Sequence, residues 1–180
     1  MSNPQGPASP ASTNGQNGAT ASSTEAPSIS SLPTEALELA AKLFNYARTG
    51  DSASLKTYLS AGIPINLRNS NGDTFLMLAS YHNHPSLVAE LITDFGADIN
   101  ILNDKGQSVL SGAVFKDYTE VVKVLVEKGG DKLDIRGGKP TAVQCAAMFK
   151  RWECAEIMGV SDEVKELSVI LNPVGSRDAM

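Results

Sequence analysis

One short phrase recurs three times along this chain at a spacing of about 33 residues, the length of unit that several families of helical repeat proteins share. The copies read TFLMLA from Thr74, SVLSGA from Ser108 and TAVQCA from Thr141, so the two offsets are almost equal. A fixed period of this length is typical of repeat proteins, in which one unit cannot bury its apolar face alone. The period therefore predicts units that stack on their neighbours into an elongated solenoid.

A second phrase recurs with the same period. It reads GADIN at residues 96–100, and related phrases occupy residues 62–66 and 129–133. With phrases of the T-P-L-H-x-A and G-A-D-V-N types in register, the chain resembles the ankyrin-repeat family over roughly residues 34–160. The resemblance implies an all-α ankyrin-repeat solenoid of about four stacked helix–turn–helix repeats.

The predicted organisation has a tail, a stack of repeats and a cap. The segment before Thr34 carries one charge, Glu25, and is mostly small or polar. Such a segment cannot bury enough apolar surface to offset its ordering entropy, so we expect a disordered tail. The predicted segments are the tail at 1–33, repeats at approximately 34–69, 70–103, 104–136 and 137–160, a C-terminal capping helix at 161–171 and a frayed tail at 172–180.

The chain departs from the family phrase at two of its positions. The usual Pro is replaced in the three copies by Phe75, Val109 and Ala142. The usual His is replaced by Met77, Ser111 and Gln144. The polar linkage that this His makes in the family is therefore not implied for this chain.

The last repeat and the capping helix carry further expectations. Trp152 is the only Trp and occupies an apolar position, so we expect it to pack between repeats. Cys145 and Cys154 are expected to be small buried thiols. One apolar stripe of the capping helix is expected to cover the end of the stack, and its residues are Val164, Leu167, Ile170 and Leu171.

Composition argues against several classes of protein. The net charge is −5, so a broad basic surface for nucleic acid is not expected. No apolar run reaches the length of about 18 residues that a membrane span needs. The N-terminus lacks a basic region followed by an apolar core, so no secretory signal is expected. Two cysteines without a signal favour a reduced cytoplasmic or nuclear protein, and a capped stack favours a monomer.

Catalytic and metal-binding patterns are not found in the sequence. The two histidines, His82 and His84, have no neighbouring Cys and no third group to complete a metal or catalytic set. The segment GGKPT at residues 137–141 lacks the first Gly of a phosphate-binding loop, and Pro140 separates its Lys from its Thr. We therefore expect no catalysis, no cofactor and no metal.

Stacking aligns equivalent residues of successive units, and two such rows are rich in binding residues. Aromatic residues and Arg are enriched at interaction hot spots. In ankyrin proteins these rows lie on the concave face, at the ends of the first helices. The first row is Arg48, Tyr81, Phe115 and Met148, and the second is Thr49, His82, Lys116 and Phe149.

Two interpretations of these rows remain open at this point. Tyr81 and Phe115 either contact a partner protein or pack on the next repeat, because periodicity cannot separate exposed from buried rows. The turn tips are a second candidate region, made of Asn71, Asp73, Asp104, Lys105, Gln107 and Lys139.

The resemblance implies a non-catalytic module that binds a protein partner, as an adaptor, regulator or escort. The alternatives are an accessory factor that stabilises a partner enzyme and a small-ligand sensor that uses the turn tips.

Overall fold

The computed structural model describes residues 34–134 and 136–171, and within them the regular secondary structure is helical. The helices in these ranges are α1 (Thr34–Thr49), α2 (Ser52–Ser60), α3 (Phe75–Tyr81), α4 (Pro85–Thr93), α5 (Val109–Lys116), α6 (Thr119–Glu127), α7 (Ala142–Phe149), α8 (Trp152–Met158) and α9 (Ser161–Leu171).

The helices form pairs that stack in two layers. The main contacts of the first layer join α1 to α3, α3 to α5, α5 to α7 and α7 to α9. Those of the second layer join α4 to α6 and α6 to α8. Each unit therefore packs chiefly on the units next to it, as in a solenoid. The predicted all-α stack of helix–turn–helix repeats is confirmed.

The recurring phrase marks the start of each first helix. Thr74, Ser108 and Thr141 are the N-caps of α3, α5 and α7. Each hydroxyl accepts a hydrogen bond of 3.1–3.3 Å from the backbone N–H three residues later, which satisfies a free donor of the first turn. In α7 the Gln144 side chain also accepts a bond from the backbone N–H of Thr141.

The alanine of the phrase lies at the centre of the stack. Ala79, Ala113 and Ala146 have no exposed surface. Their small side chains let the first helices of successive units approach closely. Larger buried side chains fill the space between the two layers, and they include Phe44, Phe75, Leu91, Leu110, Leu125 and Met158.

The turns before α3 and α5 share one construction. The side-chain oxygen of Asn69 accepts bonds of 2.9 Å from the backbone N–H groups of Asn71 and Asp73. Asn103 makes the equivalent bonds in the next turn. Gly72 then adopts a φ of +74°, which is cheap only for glycine.

The turn before α7 is built differently, because Arg136 stands where the other turns have Asn. Its guanidinium donates to both carboxylate oxygens of Asp134, at 2.9 and 2.6 Å. It also donates to the carbonyl of Asn100, at 2.7 Å. An ion pair therefore takes the place of the asparagine bonds in this turn, and its guanidinium also ties the turn to the preceding unit.

The expectation for Trp152 is wrong, because this side chain is 44% exposed. It is the first residue of α8, whose buried residues are Cys154, Ala155 and Met158. Helical side chains lean toward the N-terminus, so the ring of a first residue extends past the end of its helix. Helical spacing placed Trp152 on the buried face, but no preceding turn covers it.

The expectation for the stripe of α9 is correct for only half of its residues. Val164 is fully buried and Leu167 is partly buried against the core. Ile170 and Leu171 are 71% and 45% exposed, so they do not cover the stack. The reason is length, because α9 packs on α7 and α8 and its last turn extends beyond them.

Cys145 and Cys154 are buried, as predicted. The predictions for residues 1–33 and 172–180 lie outside the described residues. Among the helices of the described part of the chain, none combines the length and the apolar character that crossing a membrane requires.

Candidate functional site

The first candidate row lies at the last turns of the first-layer helices. Tyr81 is the last residue of α3, and Phe115 and Met148 are next to last in α5 and α7. These three side chains are 45%, 43% and 42% exposed, and Arg48 at the end of α1 is partly exposed. The row is therefore presented to solvent along successive units, although no side chain in it is fully free.

Residues of the second candidate row contact residues of the first row in the preceding unit. The ammonium of Lys116 lies 4.4 Å from the centre of the Tyr81 ring. The ring of Phe149 meets that of Phe115 edge to face, with 4.9 Å between centres. Both contacts join a residue to the preceding unit, so the two rows form one interlocked ridge. Tyr81 and Phe115 thus pack on the next repeat and still remain 45% and 43% exposed.

His82 lies within the positive end of this ridge. Partial burial lowers the pKa of its imidazole, and the charges of Arg48, His84 and Lys116 lower it further. The neutral ring is therefore favoured near neutral pH. His84 has a structural role instead, because its Nε2 lies 2.7 Å from the carbonyl oxygen of Arg48 and links α4 to α1.

The turn tips also join neighbouring units. The side-chain amide of Asn103 donates to one oxygen of Asp73 at 2.9 Å and to Gln107 at 3.1 Å. The guanidinium of Arg68 donates to Asp104 at 2.7 Å. Asp73, Asp104 and Gln107 are therefore held within the stack. Lys105 projects from the same tips and is exposed.

The structure brings the two candidate regions together around one cavity of about 420 Å³. We call this cavity the groove. Its apolar lining consists of Met77, Leu78, Val109, Gly112 and Ala113. Its polar lining consists of Arg48, Asn71, Asp73, Ser80, Tyr81, His82, Asn103, Lys105, Gln107 and Ser108.

The groove owes part of its space to Gly112. This residue lies inside α5, where glycine destabilises a helix by about 1 kcal/mol relative to alanine. A Cβ added at Gly112 would meet no heavy atom within 4 Å. The equivalent residues of the two neighbouring units are Leu78 and Cys145. Among these three units, only the one that contains α5 lacks a side chain at this position.

Several members of this surface are missing from the sequence prediction. Gly112, Met77 and Asn103 line the groove, but their role depends on which side chains surround them. Trp152 is exposed beside the α7–α8 turn, near the Phe149 end of the ridge in sequence. The sequence carried one signal for this surface, and that signal is Gly112. A glycine inside a helical segment, away from any turn, is unusual.

Seven of the predicted residues do not line the groove, and Thr49, Asp104 and Lys139 are three of them. Phe115, Lys116, Met148 and Phe149 continue the surface along the ridge toward α7, beyond the cavity. The predicted residues that line it are Arg48, Asn71, Asp73, Tyr81, His82, Lys105 and Gln107. The site is therefore a groove that opens beside an aromatic ridge.

The chemistry of the buried thiols differs from that of reactive cysteines. Burial raises the pKa of Cys145 to about 11 and that of Cys154 to about 12. A nucleophilic cysteine requires the opposite shift, toward the thiolate. Among the described residues, no three His, Cys, Asp or Glu side chains lie close enough together to hold a metal ion.

Comparison with known proteins agrees with this architecture. A family model described as ankyrin repeats (3 copies) matches residues 39–136, more than half of the 180 residues. This chain belongs to the ankyrin-repeat family. The Pseudomonas aeruginosa protein PA3287, which is named as an ankyrin repeat protein, is 49% identical over 57 residues. That match covers 32% of this chain and 33% of the relative, so it spans about a third of each.

Membership of the ankyrin-repeat family describes the scaffold and what such repeats generally do. Ankyrin repeats generally mediate protein–protein interaction and are typically non-enzymatic. The capped first helices, the short turns and the stacked alanines are the ankyrin scaffold. The groove and the ridge depend on residues that vary between the units of this stack, such as Gly112.

Proposed function

We propose that this chain is a non-catalytic interaction protein that binds a segment of a partner protein in the groove and along the adjoining ridge. The observation that carries the proposal is the meeting of the two candidate regions at one cavity with an apolar lining. A cavity that combines apolar and polar lining residues offers both contact area and orientation to a bound segment.

The ridge supplies binding residues of the right kind. Tyr81 and Phe115 each keep more than 40% of their surface exposed. Aromatic side chains have few rotatable bonds, so they lose little entropy when a partner covers them. The contacts of Tyr81 with Lys116 and of Phe115 with Phe149 hold these two rings in place before binding. A stiff, pre-organised surface reduces the cost of association.

The test is affinity capture from cells of the native host, followed by direct titration of the captured protein with purified full-length chain. The test variant is Tyr81→Ala with Phe115→Ala, which shortens the two central rings of the ridge. The matched control is Val169→Ala with Ile170→Ala, because these side chains are 71% exposed on α9 and far from the ridge in sequence.

We expect the ridge variant to bind the captured protein at least tenfold more weakly, with a melting temperature close to that of wild type. The control variant is expected to bind like wild type. Undiminished binding by the ridge variant would contradict the proposal. A large loss of stability with normal binding per folded molecule would assign the two rings to packing alone.

A small-ligand sensor is a second candidate, and the size of the groove favours it. About 420 Å³ lies within the range of small-molecule sites, and the turn-tip residues Asn71, Asp73, Lys105 and Gln107 line it. Calorimetric titration with a panel of metabolites separates the two candidates. A metabolite that binds tightly and displaces no protein partner would favour the sensor.

We further propose a monomer that acts in the cytoplasm or nucleus, whose effect on the partner is that of an adaptor, regulator, escort or enzyme-stabilising accessory factor. The buried, free thiols support a reducing compartment. The α9 helix supports a monomer, because it buries Val164 against the end of the stack.

A further inference from the structure

We propose that the segment which occupies the groove is an acidic stretch of a partner protein, with Asp or Glu side chains beside one apolar side chain. This inference rests on the proposed function and specifies the chemistry of the partner. It is carried by the charges around the groove and by the open space at Gly112.

The charge around the groove is opposite to that of the whole chain. The chain has a net charge of −5. Arg48 and Lys105 line the groove, and Lys116 lies over the ring of Tyr81, which also lines it. Within the described part of the chain, none of these three cations has a carboxylate within 4.0 Å. They are available to a carboxylate from another molecule.

The one carboxylate found among the described lining residues of the groove does not neutralise these cations. Asp73 accepts a bond of 2.9 Å from the side-chain amide of Asn103 and one of 3.3 Å from that of Asn69. Its own backbone N–H donates to the side chain of Asn69 in the same turn. The carboxylate oxygens of Asp73 therefore serve the turn, and its one negative charge against three cations leaves a local excess of positive charge.

The imidazole of His82 agrees with a positive local field. It faces Arg48, His84 and Lys116, and these charges together with burial lower its pKa. The cations that lower this pKa would attract an acidic segment. Electrostatic complementarity of this kind speeds association and selects among partners.

The apolar side chain of the segment has a place beside Gly112. Any side chain that enters there meets Met77, Leu78 and Val109, which are at most 7% exposed and form a firm apolar surface. Burial of one such side chain from a partner favours the complex, because apolar surface on both molecules is removed from water. The groove thus offers one apolar position with cations around it.

Other occupants match these features less well. Residues 1–33 of the same chain carry a single charge, Glu25, so they lack the carboxylates that the cations would bind. A second copy of the chain and a nucleic acid both bring a large negative charge to a molecule that is itself acidic. A short acidic segment brings negative charge only where the cations are.

The experiment is selection of a random displayed peptide library on three full-length baits. The baits are wild type, Arg48→Glu with Lys105→Glu, and Lys123→Glu with Lys128→Glu. The last pair lies on or just after α6 and is exposed, away from the groove, so it reproduces the change in net charge as a control. Selected peptides are synthesised and titrated against each bait and against Gly112→Leu, which fills the open space.

We expect wild type and the Lys123/Lys128 control to enrich peptides with several Asp or Glu residues and one apolar residue. These peptides should bind the Arg48/Lys105 variant roughly tenfold more weakly, and all the binding should weaken as salt is added. Gly112→Leu should abolish binding without lowering the melting temperature, because a helix gains stability when glycine is replaced.

The outcomes separate this inference from the proposed function. Neutral or basic peptides that Gly112→Leu blocks would overturn the acidic segment and leave groove binding intact. Peptides that bind Gly112→Leu as well as wild type, or no enrichment at all, would contradict both. Tighter groove binding of a single-stranded oligonucleotide than of the acidic peptides would also overturn the inference.

Discussion

Single residues at the turns determine how closely successive units approach. At Gly72, an added Cβ would lie 2.5 Å from the backbone nitrogen of Asp104 in the next turn. Gly106 and Gly137 are equally close, because a Cβ on Gly106 would overlap the carbonyl oxygen of Gly137. Glycine is required at Gly72 and Gly106 by the neighbouring backbone as well as by the local dihedral angle, and at Gly137 by the neighbouring backbone.

The first prediction separates these two requirements. Gly72 and Gly96 both have positive φ, at +74° and +68°, but a Cβ on Gly96 would meet nothing within 4 Å. We expect Gly96→Ala to destabilise the protein by about 1 kcal/mol, the cost of the backbone angle. Gly72→Ala should cost roughly 1–3 kcal/mol more, because the next turn must move. Urea unfolding followed by circular dichroism measures both, and equal losses would contradict the close approach.

The second prediction concerns the pH dependence of the ion pair in the third turn. The side chain of Asp134 is 2% exposed, and the Arg136 guanidinium lowers the pKa of its carboxyl below the ordinary value of 3.8. The folded state therefore favours the charged form. Its contribution to stability is present above about pH 4 and is lost as the pH falls through the lowered folded pKa.

We accordingly expect wild type to be more stable than Asp134→Asn at pH 7, and this difference to shrink as the pH falls below about 4. The control is Asp162→Asn, because the Asp162 side chain is 93% exposed. Denaturant unfolding between pH 3 and 7 measures the differences. A difference between wild type and Asp134→Asn that does not change with pH would rule out the ion pair as its cause.

At the scale of the helices, the sequence predicted where each element begins better than it predicted which residues near the helix ends are buried. Thr74, Ser108 and Thr141 are caps whose bonds are local, so their pattern is visible in a few residues. The exposure of Trp152 and Ile170 depends on where α7, α8 and α9 end relative to one another. Helical spacing gives the face of a residue but not the length of the neighbour that would cover it.

The third prediction tests whether α9 is an integral part of the stack. Val164 is fully buried between α9 and its neighbours, and Val169 on the same helix is 71% exposed. We expect Val164→Ala to destabilise the protein by about 2 kcal/mol, through lost burial and the cavity left behind. Val169→Ala should change stability by less than about 0.5 kcal/mol. Equal effects in thermal unfolding would mean that α9 is not docked.

At the scale of the whole molecule, repetition determines which residues share a surface. The period of the recurring phrase places Tyr81 and Phe115 in one row, and this much is readable from the sequence. The depth of the groove is not, because it depends on Gly112 lying opposite the turn tips of two different units. Exposure likewise depends on contacts between units, such as that of Lys116 with the Tyr81 ring.

The account as a whole assigns binding to one side of the stack. The groove is lined chiefly by α3, α5 and their preceding turns, and among the described residues α4 and α6 contribute none of its lining. A partner segment bound there must cover the first helices and leave the second helices of the same units unchanged. This asymmetry distinguishes groove binding from any contact that a partner makes with the second layer of helices.

Amide hydrogen exchange of the full-length chain, with and without its captured partner, tests this assignment most directly. We predict slower exchange on binding in Phe75–Tyr81 and Val109–Lys116 and in the turns at residues 69–74 and 103–108. No change is expected in Pro85–Thr93 or Thr119–Glu127. Protection confined to those last two helices would contradict the account.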